Sequence, residues 1–163
     1  MIKQKTKGFT LIELLVVIAI IGILSTLAVV SLTSARARAR DSRRIADVRN
    51  IQSALELYFT DNSVYPGTGA AASMDLSRAA GDTAYLCTTG GFISGATATC
   101  TAPATLLISI PPEASAGDVY TYTPLPAAGP FNNYSIGFTL EGTAGNVSGD
   151  GCATPSGIAD GVC

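Results

Sequence analysis

This 163-residue chain contains no histidine, which removes the side chain most often used for acid–base catalysis and metal binding. Serine-histidine-aspartate and cysteine-histidine catalytic arrangements are therefore excluded, and so are metal sites built on histidine. No phosphate-binding loop of the form G-x-x-x-x-G-K-[ST] occurs either. Two features remain: a set of cysteines, and one acidic residue, Glu13, just inside the edge of an apolar run. We predict that the chain is not an enzyme.

All four cysteines lie in the polar distal part of the chain. An even number of cysteines there predicts disulfides formed in an oxidising compartment, and four cysteines allow three pairings. Short loops favour Cys87 with Cys100 and Cys152 with Cys163, although spacing alone leaves the pairing open. A zinc site is disfavoured, since no two cysteines have the C-x-x-C spacing.

A long apolar run follows the lysine-bearing start "MIKQKTKG". From Leu14 to Val30 it is interrupted only by Gly22, Ser25 and Thr26, so it exceeds the ~7–15 apolar residues of a secretory signal core. As a helix this run measures about 26 Å, close to the ~30 Å of bilayer hydrocarbon, and flanking apolar residues supply the difference. The segment is predicted to span a membrane.

The charged residues indicate a topology. All three lysines precede Gly8, which favours a cytoplasmic amino end and a cysteine-bearing domain outside the cytoplasm. Six of the seven arginines lie between Arg36 and Arg49, on the translocated side, and oppose this rule. The part beyond Asn50 is acidic and repels phosphate, so no direct binding of nucleic acid is expected.

Glu13 needs a partner, because an acid costs ~2.5–3.5 kcal/mol at the centre of a bilayer and less near its edge. Cleavage between Gly8 and Phe9 would place a new α-amino group four residues before Glu13, on the same helical face. The amino terminus of a helix also favours negative charge. Within an assembly, Glu13 would equally reach the amine of a neighbour and set the axial stagger between subunits.

The stretch "KGFTLIELLVVIAIIGIL", residues 7–24, resembles the class III signal of type IV pilins and of the pseudopilins of type II secretion. The resemblance implies that a prepilin peptidase cleaves between Gly8 and Phe9 and methylates the amine of Phe9. It implies that Glu13 docks each subunit into a growing helical homopolymer. It also implies a cytoplasmic assembly ATPase and an inner-membrane platform protein as partners. The chain departs from many family members at Val30, where they have proline.

The rest of the chain predicts a long helix followed by a small sheet. Apolar residues keep helical spacing as far as Phe59, and no glycine or proline occurs between Val30 and Pro66. The composition from Gly67 to Pro103 is typical of a long variable loop, whereas "VYTYT" and "YSIGFTLE" are typical of strands. The predicted fold is α+β: a long amino-terminal helix, membrane-spanning and then amphipathic, packed against a small antiparallel β-sheet head, as in type IV pilins.

These patterns divide the chain into four segments. They are a cleaved leader at 1–8, a transmembrane or filament-core helix at 9–32, an amphipathic helix at 33–62 and a disulfide-containing head at 63–163. The pseudopilins that the chain resembles bind calcium in a carboxyl-terminal loop, which would make Asn146, Asp150 and Asp160 its ligands here. Turn residues alone also explain this glycine-rich tail, and no other cofactor is expected.

The expected function is that of a structural prepilin. It is stored in the inner membrane as a single-pass precursor, with its carboxyl-terminal domain outside the cytoplasm, and then polymerised into an extracellular type IV pilus. The first alternative is a pseudopilin in the periplasmic pseudopilus of a type II secretion system. The second is a secreted or signal-anchored binding domain that never polymerises and is cut after Ala35, where Thr33 and Ala35 form a poor signal-peptidase site.

Overall fold

The computed structural model describes residues 8–67, 73–76, 83–95, 100, 105–110, 120–127 and 129–163. The chain divides into two compact units, Met1–Ala37 and Arg38–Cys163. A single α-helix, α1, spans Leu11–Asn62 and contributes residues to both. The described part of the second unit adds the strands β1 (Met74–Asp75), β2 (Thr83–Cys87), β3 (Gly91–Gly95), β4 (Leu106–Ser109), β5 (Thr121–Leu125), β6 (Asn133–Ala144), β7 (Val147–Thr154) and β8 (Gly157–Asp160).

The described part of the first unit is an exposed apolar helix. Its large apolar side chains, from Phe9 to Leu32, are between 46% exposed, at Val17, and 79% exposed, at Phe9 and Leu11. By length and composition this helix can cross a membrane. Contiguous apolar surface on this scale marks a site of contact with membrane or protein.

The second unit contains two antiparallel sheets. The larger has the strand order β1-β5-β6-β7-β8 and the smaller has the order β3-β2-β4. Along β6 the alternate side chains of Tyr134, Ile136, Phe138 and Leu140 are all buried, as the period of two predicts. The predicted α+β class, with an apolar amino-terminal helix and antiparallel sheets, is confirmed.

Two regions are more regular than their composition indicates. Strands β1, β2 and β3 lie within the stretch from Gly67 to Pro103 that was predicted to be a variable loop. Strands β7 and β8 lie in the glycine-rich tail, where turn residues predominate. Strands β7 and β8 extend the larger sheet as hairpins with their sequence neighbours β6 and β7, whereas β1 and β2 also pair with the more distant β5 and β4. This pairing overrides weak local preference.

The core of the second unit forms where one stripe of α1 meets the larger sheet. On the helix, Val48, Ile51 and Leu55 are completely buried, at the spacing of one helical face. They belong to a single apolar cluster that includes buried residues of both sheets, among them Leu86, Tyr122, Tyr134, Ile136, Phe138 and Val147.

A chain of aromatic rings connects the helix end with the two sheets. The ring centroids are 4.6 Å apart for Phe59 and Tyr65, and 4.7 Å apart for Tyr65 and Tyr134. The chain continues from Tyr134 to Tyr122 at 6.0 Å and from Tyr122 to Phe92 at 4.9 Å. Such tilted and edge-on contacts stabilise a core beyond the area that they bury.

Two of these tyrosines also anchor their hydroxyl groups. Tyr65 donates to Oε1 of Glu56 at 2.9 Å, and Tyr122 donates to the carbonyl of Pro66 at 2.8 Å. Burial, followed by the hydrogen bond to Glu56, raises the pKa of Tyr65 to about 12. The hydroxyl of Tyr65 therefore remains a hydrogen-bond donor at neutral pH.

A buried ion network, the Asp41 network, joins α1 to β6. The carboxylate of Asp41 accepts hydrogen bonds from Nη1 of Arg44 at 2.7 Å and from the backbone N–H groups of Glu141 and Gly142 at 2.8 and 2.9 Å. Arg44 also donates to Oε1 of Glu141 at 3.1 Å, and Arg40 forms a second ion pair with Glu141. Asp41 and Arg44 are 0% and 1% exposed, so neither charge is solvated by bulk water.

We predict that Asp41→Ala lowers the free energy of unfolding by about 3–5 kcal/mol, because it removes a charged partner from a buried arginine. Two backbone N–H groups also lose their acceptor. Denaturant unfolding of the full chain in detergent, followed by the near-ultraviolet signal of the tyrosines, measures the loss. Asp61→Ala, at an exposed position of the same helix, is the matched control and should change the value by about 0.5 kcal/mol or less. Equal losses in the two variants would contradict the assigned role.

Gly151 of β7 makes room for the ring of Phe138. A Cβ at Gly151 would lie 2.4 Å from Cζ of Phe138 and 2.9 Å from Cγ1 of Val147, whereas a Cβ at Gly137 would lie no closer than 3.9 Å to Thr121. We predict that Gly151→Ala destabilises the second unit by about 1–3 kcal/mol. Gly137→Ala is expected to be tolerated. Thermal unfolding of both variants tests this, and a similar loss of stability in each would show that ring contact is not the cause.

Candidate functional site

The predicted cleavage and docking residues lie together at the amino end of α1. Gly8, Phe9 and Thr10 precede the helix in exposed, non-helical backbone, and Glu13 lies in its first turn. Exposed chain outside regular structure is where proteolytic cleavage concentrates. The bond between Gly8 and Phe9 is therefore placed where a peptidase can reach it.

Thr10 and Glu13 form a capping box. The backbone N–H of Thr10 donates to Oε2 of Glu13 at 2.9 Å, and the backbone N–H of Glu13 donates to Oγ1 of Thr10 at 3.3 Å. The hydroxyl of Thr10 also donates to Oε2 of Glu13, at 2.7 Å. These reciprocal bonds satisfy donors that the first turn of a helix otherwise leaves without acceptors.

Thr10 was not among the predicted site residues, although the sequence carries a signal for it. The spacing T-x-x-E, immediately before an apolar run, is the signature of a capping box. It supplies a local reason for an acid at position 13, in addition to a docking role.

The capping box leaves part of the Glu13 carboxylate available. Both bonds from Thr10 end on Oε2, and among the described residues no group donates to Oε1. An ionised carboxylate accepts hydrogen bonds at both oxygens, so Glu13 can cap its own helix and bind an amine at the same time. Phe9 and Glu13 line one depression on the helix surface together with Ile12, Val16 and Val17.

The structure selects one of the three possible cysteine pairings. Cys87 bonds to Cys100, and Cys152 bonds to Cys163, with Cα–Cα distances of 5.7 and 5.1 Å. The first disulfide joins β2 to the chain beyond β3. The second ties the chain beyond the edge strand β8 back to β7.

The three predicted calcium ligands are placed on different elements. Asn146 lies in the turn between β6 and β7, whereas Asp150 lies in β7 and Asp160 in β8. Oδ1 of Asp150 accepts a hydrogen bond from the hydroxyl of Thr139 at 3.0 Å, and Oδ1 of Asp160 accepts one from the N–H of Ser148 at 2.8 Å. Within the described ranges, no three acidic or cysteine side chains are grouped to hold a metal ion. Calcium binding stays a prediction.

One further acid of the second unit is buried. Asp47 of α1 is 7% exposed and lies 3.9 Å from Nε of Arg43 and 3.4 Å from the hydroxyl of Tyr120. Burial raises the pKa of Asp47, and the charge of Arg43 and the bond from Tyr120 partly offset the increase. The contact with Tyr120 connects α1 to the residue that precedes β5, and packing accounts for it.

Comparison with known proteins identifies a known sequence motif at the amino end of the chain. The family model described as the prokaryotic N-terminal methylation motif matches residues 3–29. The resemblance of the amino end to a class III processing and methylation signal is confirmed.

Each of the relatives described here aligns with less than half of this chain. The type II secretion system core protein G of Klebsiella michiganensis is 43% identical over 66 residues, which are 40% of this chain and 46% of that protein. The core protein G of Vibrio cholerae is 40% identical over 65 residues, 40% of this chain and 44% of that protein. Fimbrial protein EcpC of Eikenella corrodens is 42% identical over 74 residues, 45% of this chain and 48% of that protein. The chain thus spans about half the length of the relatives that it matches, and no solved structure matches it significantly.

We predict that replacing both Cys152 and Cys163 by alanine lowers the free energy of unfolding by about 2–4 kcal/mol, because the disulfide restricts the unfolded chain. The matched control is the unaltered protein with both disulfides reduced, which should lose at least as much stability. Denaturant unfolding in detergent measures each value. A variant as stable as the oxidised protein would show that this disulfide does not hold the edge strand in place.

Proposed function

We propose that this chain is a prepilin-type structural subunit. It is cleaved between Gly8 and Phe9, methylated on the amine of Phe9 and assembled through the apolar part of α1 into a helical filament. The observation that carries the proposal is the exposed apolar segment from Phe9 to Leu32, which starts at the proposed cleavage bond and carries Glu13 in the first turn of α1. The proposed partners are other copies of the chain, a prepilin peptidase, an assembly ATPase and an inner-membrane platform protein.

Two environments can remove the apolar surface of this helix from water. Burying apolar surface contributes about 25 cal/mol per Å², so exposure of this helix to water is strongly disfavoured. Before assembly the bilayer covers it, with the precursor crossing the inner membrane once and its carboxyl-terminal part outside the cytoplasm. After assembly the helices of neighbouring copies cover it. Close packing and a few polar contacts must favour the second state, since lipid covers apolar side chains equally well.

Glu13 supplies such a polar contact. An acid at the hydrocarbon edge is costly unless a cation meets it, and cleavage creates a cation at Phe9. Oε1 of Glu13 accepts no bond from the described residues, so it can receive the amine of Phe9 from its own chain or from a neighbour. Pairing with the neighbour fixes how far one subunit is displaced along the filament.

Two filament types fit this proposal. A pseudopilus of type II secretion is favoured by the similarity to the core protein G relatives. A type IV pilus on the cell surface is favoured by the similarity to fimbrial protein EcpC and by two disulfides, which suit an exposed fibre. Immunogold labelling of intact cells separates the two, because only a surface pilus is labelled outside the outer envelope.

The structure disfavours the reading as a non-polymerising secreted domain. Thr33 and Ala35 lie inside α1, with helix continuing to Asn62. A signal peptidase that cut after Ala35 would have to unwind this helix. The same cut would discard the methylation motif at residues 3–29.

We predict that Glu13→Gln abolishes filament formation and leaves cleavage at Gly8 intact, because glutamine can still accept the capping bonds but carries no charge. Thr10→Ala is the matched control: it removes the capping hydroxyl and keeps the charge, so filaments should persist. Mass spectrometry of the amino terminus reports cleavage, and electron microscopy of sheared material reports filaments.

The reverse pattern would contradict the docking role. If Glu13→Gln assembles normally and Thr10→Ala does not, Glu13 acts only as a helix cap.

A further inference from the structure

We propose that Arg49 of one subunit forms an ion pair with Asp61 of a second copy of this chain, across the exposed face of α1 in the second unit. The inference rests on the proposed filament assembly and deepens it, because it names a contact with a second neighbour. That neighbour is offset by twelve residues along the helix, whereas the neighbour whose amine meets Glu13 is offset by four. Four observations support it: an unpaired acid, an unpaired base, their separation along the helix and the distribution of charge.

Asp61 is exposed and stands apart from the other acids of the structure. Among the acidic side chains within the described ranges, each of the others takes part in a hydrogen bond, an ion pair or another electrostatic interaction. Asp61 makes none, and it lies in the last turn of α1. Its carboxylate is available to a partner outside the chain.

Arg49 is the corresponding base. It is exposed, and no carboxylate of the described residues lies within ion-pair distance, whereas Arg40, Arg43 and Arg44 each have an acidic partner. Arg49 also lines two depressions between α1 and the strands β6 to β8, about 470 and 380 Å³ in volume. Gln52 lines both depressions too. A side chain from another molecule therefore has room beside the guanidinium of Arg49.

The separation of the two residues prevents pairing within one chain and suits pairing between chains. Twelve residues of helix place Asp61 about 18 Å further along the axis than Arg49 and about 120° around it. Around the circumference of the helix, the positions between the two charges are occupied by exposed side chains, those of Ala46, Asn50 and Leu57. The two charges therefore lie on opposite flanks of one exposed helix face. Parallel helices that pack side by side present opposite flanks to each other.

An offset of twelve residues between two such helices brings Arg49 of one copy level with Asp61 of this second neighbour. The same offset brings Arg38 level with Asn50 of that neighbour, whose side-chain oxygen is an acceptor. Arg38 is exposed and, among the described residues, has no acidic partner. One displacement therefore provides partners for two arginines.

Charge distribution favours a second copy as the occupant. Six of the seven arginines lie between Arg36 and Arg49, and Arg78 is the only base beyond Asn50. A basic helical stretch on one copy thus meets an acidic region on the next. Complementary charges of this kind determine register and exclude wrong alignments more than they add affinity.

Charge reversal tests the pair. Arg49→Glu, Asp61→Arg, the double reversal and the conservative Arg49→Lys are each expressed as the only copy of the full chain, and the yield of sheared filaments is measured. Each single reversal should lower the yield about tenfold or more through like-charge contact, and the double reversal should restore it. Arg49→Lys should assemble normally. All variants should be cleaved at Gly8.

A cysteine pair tests proximity independently of charge. Filaments of the Arg49→Cys, Asp61→Cys double variant, treated with a short thiol-to-thiol cross-linker, should yield a ladder of linked multimers on a denaturing gel. The cross-linker is needed because an arginine–carboxylate pair holds its Cα atoms too far apart for a direct disulfide. Filaments of Ala39→Cys, Asp61→Cys should not yield the ladder, since residue 39 is exposed and lies about 15 Å along the helix from the proposed contact.

The outcomes separate this inference from the proposed function. If the unaltered chain forms no filaments, the proposed function fails. If it forms filaments but the single reversals assemble normally, or the double reversal assembles no better than the single ones, this pairing is wrong while the filament function stands. Rescue by the double reversal, together with the multimer ladder, would establish the contact.

Discussion

The exposed apolar surface between Phe9 and Leu32, nearly all of it on α1, constrains every later state of the molecule. Water disfavours such a surface, and no described residue of the chain covers it. The chain must therefore find its cover in lipid or in other copies of itself. This requirement explains the proposed cleavage at Gly8 and the charge of Glu13. They place one cation and one anion at the edge of an otherwise apolar helix, where a neighbour can reach them.

Beyond Arg38 the same helix packs against the sheets of the second unit. There it turns a stripe of Val48, Ile51 and Leu55 toward the sheets and joins β6 through the Asp41 network. The two backbone N–H groups of β6 that donate to Asp41 can reach this carboxylate in only one alignment of the helix with the strand. The network therefore fixes the register of α1 against the sheet. Fixed register is what allows the outward face of the helix to present Arg49 and Asp61 at constant positions.

The sequence predicted the features that depend on local pattern and missed those that depend on distant contacts. Helical spacing and alternation in "YSIGFTLE" were sufficient for α1 and β6. The capping box of Thr10 and Glu13 also has a local signal, the spacing T-x-x-E. At position 151, by contrast, the strand has a glycine because the ring of Phe138 occupies the space that a side chain would need. The partner of Arg40 and Arg44, Glu141, lies about a hundred positions away in the sequence and has no local signal.

The most direct measurement is the mass of the amino-terminal peptide of this chain, recovered from sheared filaments. We expect a peptide that begins at Phe9 with a methylated amine, because the apolar helix must be retained and its terminus must carry the charge that meets Glu13. A chain that begins near Arg36 and is recovered only as a soluble monomer would contradict the account, since the helix proposed to form the filament core would then have been discarded.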